Sequence, residues 1–223
     1  MKKYWWKLLI IILMVYIIIG GLLFDVPRLI ILNETVRVLY FHVPMWFGMI
    51  IMLTVSVVFA VRYLRNSKES DDVKSVEFAN VGVFFGILGI LTGMLWAQYT
   101  WGDWWSSDPK QNASAIGLLI YFSYFVLRGS FENNEQKARI GAVYNIFAFP
   151  ILIVLLFILP RLANDSLHPG NGGNPGFNAY DLDNRLRMVF YTSVIGWTLL
   201  GCWIATVRVR IKKLELYSQE MAG

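Results

Sequence analysis

Cysteine is nearly absent from this chain: Cys202 is the only one, and it falls inside the last apolar stretch. A lone thiol there excludes a disulfide framework, a Cys-based zinc site and covalent c-type haem attachment. Charge is scarce as well. Only 16% of the 223 residues are Asp, Glu, Lys or Arg, against 57% apolar, which excludes an ordinary soluble domain. None of these four residue types interrupts 8–24, 38–61, 78–102, 111–127, 140–160 or 188–207. Proton relays and ion-coupled transporters usually carry such groups at the membrane midplane. Neither histidine lies in the middle of one of these stretches, which argues against a haem enclosed within a helical bundle. No Walker motif and no His-Glu-x-x-His occurs, so nucleotide hydrolysis and zinc-protease chemistry lack their residues.

What is present is six apolar stretches, each near or above the roughly 20 residues a helix needs to cross a bilayer. The hydrocarbon layer requires every backbone polar group to be satisfied internally, so the reading is all-α: one membrane domain, 1–223, of six transmembrane helices. With the N-terminus inside, fourteen of the twenty Lys and Arg fall on the inner side. The positive-inside rule then makes both termini cytoplasmic. The net charge of +5 is mostly this topology signal, and nucleic acid is not an expected partner. Asp25-Val26-Pro27, without a small-residue cleavage site, marks the first helix as an uncleaved anchor.

Between the spans, the first outer segment places Asn33, Glu34 and Arg37 on one helical face, opposite Leu29, Val36 and Leu39. That pattern predicts a short interfacial helix, leading through Tyr40-Phe41-His42-Val43-Pro44 to helix 2, with Pro44 in a first turn. Residues 62–77 have mixed charge and read as a solvated inner connector. Helix 3 carries Gly82, Gly86, Gly89 and Gly93 on one face, which predicts close packing against a neighbour. Asp108-Pro109-Lys110 reads as the N-cap and first turn of helix 4, and helix 5 is expected to end at Leu159-Pro160. The long outer loop, about 160–187, contains a Gly/Pro/Asn-rich middle that no regular helix accommodates.

Residues 96–110 carry the densest chemistry. Four of nine tryptophans, Trp96, Trp101, Trp104 and Trp105, fall within ten residues, beside Asp103 and Asp108. An aromatic belt needs one or two rings per helix end, so Trp101, Trp104 and Trp105 suggest a shelf for a flat apolar ligand, with Gly102 as its turn and Trp96 left as belt. The charge-derived topology puts this shelf and both histidines, His42 and His168, on the outer side. Neutral imidazoles are good ligands for haem iron, and two of them would complete a six-coordinate site. Arg28, Arg37, Lys110, Arg161, Arg185 and Arg187 are candidates to neutralise haem propionates. The bland alternatives are interfacial hydrogen-bonding histidines, a solvated Asp103 and an Asp108 that only caps its helix. At the level of function, the alternatives are a haem or small-solute channel or secondary transporter, a quinone-linked membrane oxidoreductase subunit, and a structural assembly subunit.

Trp101-Gly102-Asp103-Trp104-Trp105-Ser106-Ser107-Asp108-Pro109-Lys110 resembles the WWD signature of the haem-handling family of cytochrome c biogenesis. The six-helix CcmC branch is more similar than the larger CcsA branch. Tyr40-Phe41-His42-Val43-Pro44 resembles the family's first external histidine motif, and His168 stands where the second belongs. There are departures. Ser107 replaces a further tryptophan, Asp-Pro-Lys-Gln is similar to the larger branch's Asp-Pro-Lys-Glu, and the stretch after His168 is rich in Gly and Asn. The resemblance implies a protein without enzymatic activity in a bacterial inner membrane, its functional face periplasmic. It implies haem b carried as cargo, bound by His42 and His168 as axial ligands and by Trp101, Gly102, Asp103, Trp104, Trp105 and Asp108. It also implies two partners, a membrane-anchored periplasmic haem chaperone and ABC transporter subunits.

Overall fold

The computed structural model describes residues 4–29, 32–163, 165–169 and 182–222; most of the Gly/Pro/Asn-rich stretch after His168 lies outside them. The described residues form helices α1 (Trp5–Leu23), α2 (Leu39–Asn66), α3 (Glu69–Trp101), α4 (Pro109–Gly129), α5 (Asn134–Ile153), α6 (Leu159–Leu162) and α7 (Asn184–Ala222). A 3-10 helix over Asn33–Val38 leads directly into α2, and a π turn over Val154–Ile158 joins α5 to α6. Five stretches are long and apolar enough to cross a membrane: Trp5–Leu23, Asn33–Asn66, Glu69–Trp101, Asn134–Leu162 and Asn184–Gln219. The sixth helix, α4, has 21 residues, or about 31 Å of rise. It carries Gln111, Asn112, Ser114 and Ser123 among its apolar residues and is not one of those five.

The α2–α3 pair is the centre of the bundle, and the glycine face of α3 explains why. A Cβ at Gly82 would lie 2.9 Å from Leu53, one at Gly86 would lie 2.8 Å from Met49 Sδ, and one at Gly89 would lie 2.8 Å from Trp46. All three neighbours belong to α2, so only hydrogen atoms at these positions let the helices approach so closely. Around this seam Met45, Met49, Met52, Leu53, Phe85, Leu118, Tyr121 and Leu152 form the main core. A smaller cluster closes the end of the bundle where α3 terminates; there Val36, Leu39 and Tyr40 meet Trp96, Leu186, Val189 and Phe190.

Three sequence expectations need correction. The segment 62–77 is not a solvated connector: α2 runs to Asn66, α3 starts at Glu69, and Ser67 makes the turn with φ +51°. Two of its carboxylates, Asp71 and Glu77, are buried against cationic partners, while Arg62, Arg65, Lys68 and Glu69 stay exposed. Asp71, 1% exposed, faces Arg62 at 3.5 Å and Lys74 at 3.4 Å, and Glu77 pairs with Arg208 at 2.6 Å. Helix 5 does not stop at Pro160. The π turn just before it absorbs the missing proline N–H and the ring's clash with the preceding turn, so the helix continues to Leu162. The short helix expected in the first outer segment is a 3-10 helix, with Val36 and Leu39 fully buried and Asn33 and Glu34 exposed. Since α2 already begins at Leu39, His42 sits inside its first turn and Pro44 lies within the helix.

Candidate functional site at the C-terminal end of helix 3

Helix α3 ends at Trp101 because Gly102 adopts φ +89°. A Cβ there would meet nothing within 4 Å, so the glycine is required by backbone conformation and not by space. The chain then loops outward, leaving Trp104 53% and Trp105 37% exposed. The loop is latched to the first turn of α4 by two amides. Gln111 Oε1 accepts from Ser106 N and Oγ, both at 3.0 Å. Asn112 accepts from Trp105 Nε1 at 3.1 Å and donates to Ser107 O at 3.0 Å. Ser107, at φ +57°, takes the left-handed turn that brings the chain back. Gln111 and Asn112 were not singled out from sequence; the available signal was a pair of amides directly after a helix cap.

Asp108 is the N-cap of α4, accepting from Lys110 N at 2.8 Å, and it does more than cap. Its fully buried carboxylate also accepts from Leu167 N at 2.6 Å and Ser166 Oγ at 3.0 Å. His168 Nδ1 lies 2.7 Å from Oδ1. A single carboxylate therefore ties the start of α4 to the loop that carries His168, 60 residues away. Burial pushes the Asp108 carboxyl up, but the hydrogen bond and charge of His168, with the Lys110 and Leu167 N–H groups, outweigh it and hold the group well below the usual carboxylate range.

His42 is anchored from the other side. Its Nδ1 lies 3.1 Å from Thr92 Oγ1, which donates its own proton to Leu88 O at 2.7 Å. Gly93 leaves room for the ring, since a Cβ there would stand 2.7 Å from His42 Cε1. Trp96 and Trp46 meet the imidazole edge-on, at centroid distances of 5.8 and 6.3 Å. Trp96 is consequently not an interfacial belt residue. It is 9% exposed and donates its Nε1–H to Thr35 Oγ1 at 3.3 Å. Trp101 plays the corresponding part for His168, with centroids 5.0 Å apart and edge-on.

Both histidines are thus packed against tryptophans of the same terminal stretch of α3. Trp104 and Trp105 stand exposed in the loop after Trp101, and Asp103 is exposed with no part in the Asp108 network. Of the six cation candidates, Arg37 is occupied: it donates to Gly21 O and Phe24 O at the end of α1 and pairs with Glu34. Arg185 is held by Asp183 at 3.0 Å, and Arg187 donates to Leu182 O at 2.8 Å. Among the described residues Arg28, Lys110 and Arg161 hold no ion pair. No group of three or more His, Cys, Asp and Glu able to hold a metal ion occurs among the described residues. Two anchored imidazoles suit an iron whose remaining ligands come from a macrocycle.

The chain is 28% identical over 155 residues to "Heme exporter protein C" of Rhodobacter capsulatus, covering 66% of this chain and 61% of that one. It is 25% identical over 191 residues to "Heme exporter protein C" of Paracoccus denitrificans, covering 80% and 73%. It is 30% identical over 105 residues to "Cytochrome c biogenesis protein CcsA" of Prochlorococcus marinus (strain MIT 9303), covering 46% of this chain and 32% of that one. A family model described as "CcmC: Heme exporter protein C" matches residues 1–222. With that match running along nearly the whole chain, the protein belongs to the heme exporter protein C family.

Proposed function

We propose that the protein is a haem-handling membrane protein of cytochrome c maturation. It binds haem b as cargo on its outer, periplasmic face and presents it to a membrane-anchored haem chaperone, working with ABC transporter subunits. The names of its relatives support the haem-handling part. The observation that carries the site is the shared anchoring of His42 and His168 through Nδ1, which among the described residues leaves both Nε2 atoms available to iron. Exposed Trp104 and Trp105 offer ring faces to a porphyrin while leaving one edge open to a partner, as a carrier that must release its cargo requires. Lys110, Arg161 and Arg28 are the cations available for propionates. The N-terminus and the long C-terminal end of α7 are cytoplasmic, in keeping with the basic residues there.

The test is to purify the protein in detergent with haem supplied. Wild type is expected to give a low-spin, bis-histidine spectrum, and His42→Ala or His168→Ala is expected to lose it. A spectrum unchanged in both variants would overturn the ligand assignment. Transport of haem by the isolated protein in liposomes would favour a channel instead.

A further inference from the structure

The two histidines have partners of different kinds, and the difference has chemical consequences. A carboxylate only accepts hydrogen bonds, so the His168 nitrogen facing Asp108 at 2.7 Å carries the proton. Thr92 has committed its hydroxyl proton to Leu88 O, so it too accepts from the nitrogen of His42 that faces it. In both rings the proton sits on Nδ1 and the lone pair on Nε2. One acceptor carries a full negative charge in a buried setting, and the other is a neutral hydroxyl. A ligating imidazole whose far N–H points at a carboxylate becomes more basic and binds metal more tightly.

We propose that Asp108 and Thr92 are positioning residues that fix both imidazoles in the Nδ1–H tautomer, and that the charged partner makes His168 the tighter iron ligand and His42 the one that exchanges first. The inference rests on the haem-binding reading above. It also explains why a carboxylate is needed where an amide would cap equally well. Oδ1 faces Lys110 N and His168 Nδ1, while Oδ2 faces Leu167 N and Ser166 Oγ. Both oxygens meet donors. An asparagine amide must therefore point its NH2 either at a backbone N–H or at His168, where it would favour the tautomer with Nε2 protonated and unable to ligate. For hand-off, a carrier with unequal ligands can open one coordination position to a partner while the other still holds the iron.

The apo-protein gives the first test. Because the chain has only two histidines, ring-15N labelling yields four nitrogen resonances, assigned with His42→Gln. In alkaline buffer both Nε2 atoms are expected to be unprotonated. Asp108→Asn is expected to shift His168 alone toward the other tautomer, and Thr92→Val to shift His42 alone. A wild-type His168 already protonated at Nε2 would overturn the proposal. The haem-loaded protein gives the second. Asp108→Asn is expected to weaken haem binding roughly tenfold to a hundredfold. The reduction potential should rise by about 59 mV for each tenfold by which ferric binding weakens more than ferrous. Limiting cyanide is expected to displace His42 and leave His168 bound, and Thr92→Val to speed that displacement. Unchanged affinity and potential in Asp108→Asn, or displacement of His168 first, would overturn the assignment. A wild type that binds no haem would overturn the functional reading instead, and the tautomer result would stand apart from it.

Discussion

Arg128 on α4 holds Asp72 on α3 through both terminal nitrogens, at 2.9 and 2.8 Å. The same guanidinium donates to Lys137 O at 3.2 Å and lies 5.9 Å from the Tyr124 ring centre. Both side chains are nearly buried, 11% and 15% exposed, so removing either leaves an uncompensated charge. Arg128→Ala is expected to cost about 3 kcal/mol or more, seen as a lower thermal aggregation temperature in detergent. Arg128→Lys is expected to recover only part, because an ammonium cannot make the bidentate contact. Since Asp72 lies in the first turn of α3 and the His42 ring packs at Gly93 near that helix's other end, the haem spectrum of surviving protein should be normal.

Gly82 and Gly93 lie on the same face of α3 but have different neighbours, which separates stability from ligation. Gly82→Ala pushes against Leu53 at 2.9 Å and Met49 O at 3.3 Å, an overpacking expected to cost about 1–3 kcal/mol with the bound-haem spectrum intact. Gly93→Ala pushes against the His42 ring at 2.7 Å. It is expected to disturb axial ligation, giving a high-spin fraction in the absorption spectrum before any loss of thermal stability. Equal spectra in the two variants would show that the Gly93 gap does not seat the imidazole.

These two glycines also show how much the sequence carries. Spacing alone placed Gly82, Gly86, Gly89 and Gly93 on one face, because helical periodicity is local. The cap at Asp108, the turn at Gly102 and the apolar lengths of the helices were legible for the same reason. What could not be read was partnership across the fold. Nothing in the run 62–77 says that Asp71 is sealed beneath Arg62 and Lys74, so hydropathy describes a loop where the molecule has two helix ends. Nor does the spacing reveal that Thr92 lies under His42, 50 residues away, or that Asp108 meets His168. Trp96 resembles its exposed neighbours in sequence and is buried where the 3-10 turn at Thr35 and the cluster with Leu186 and Phe190 cover it.

Gly102→Ala tests the turn by conformation alone. The position has open space around it, so any effect comes from forcing an L side chain to φ +89°. The expected cost is about 1 kcal/mol, or roughly a fivefold loss of haem retention on dilution if the loop must hold this shape to bind. Gly102→Asn is expected to be milder, since Asn tolerates the left-handed region better than Ala. Equal retention in Ala and wild type would show that the loop's contribution survives a change of turn.

The exposed tryptophans and their latch make separable contributions. Trp104→Ala and Trp105→Ala each remove an aromatic face, worth about 0.5–1.5 kcal/mol in stacking, without touching either imidazole. The double variant is therefore expected to lose haem faster on a desalting column while what remains stays low-spin. Asn112→Ala leaves both rings present but frees Trp105 Nε1 and Ser107 O together, so it should reproduce part of the Trp105→Ala effect. Trp105→Phe distinguishes the two causes: it keeps a ring face and breaks the same indole hydrogen bond. If Trp105→Phe behaves like Asn112→Ala, placement of the ring by the latch governs retention. If Trp105→Phe behaves like wild type, the ring face suffices and Asn112 serves only the backbone at Ser107.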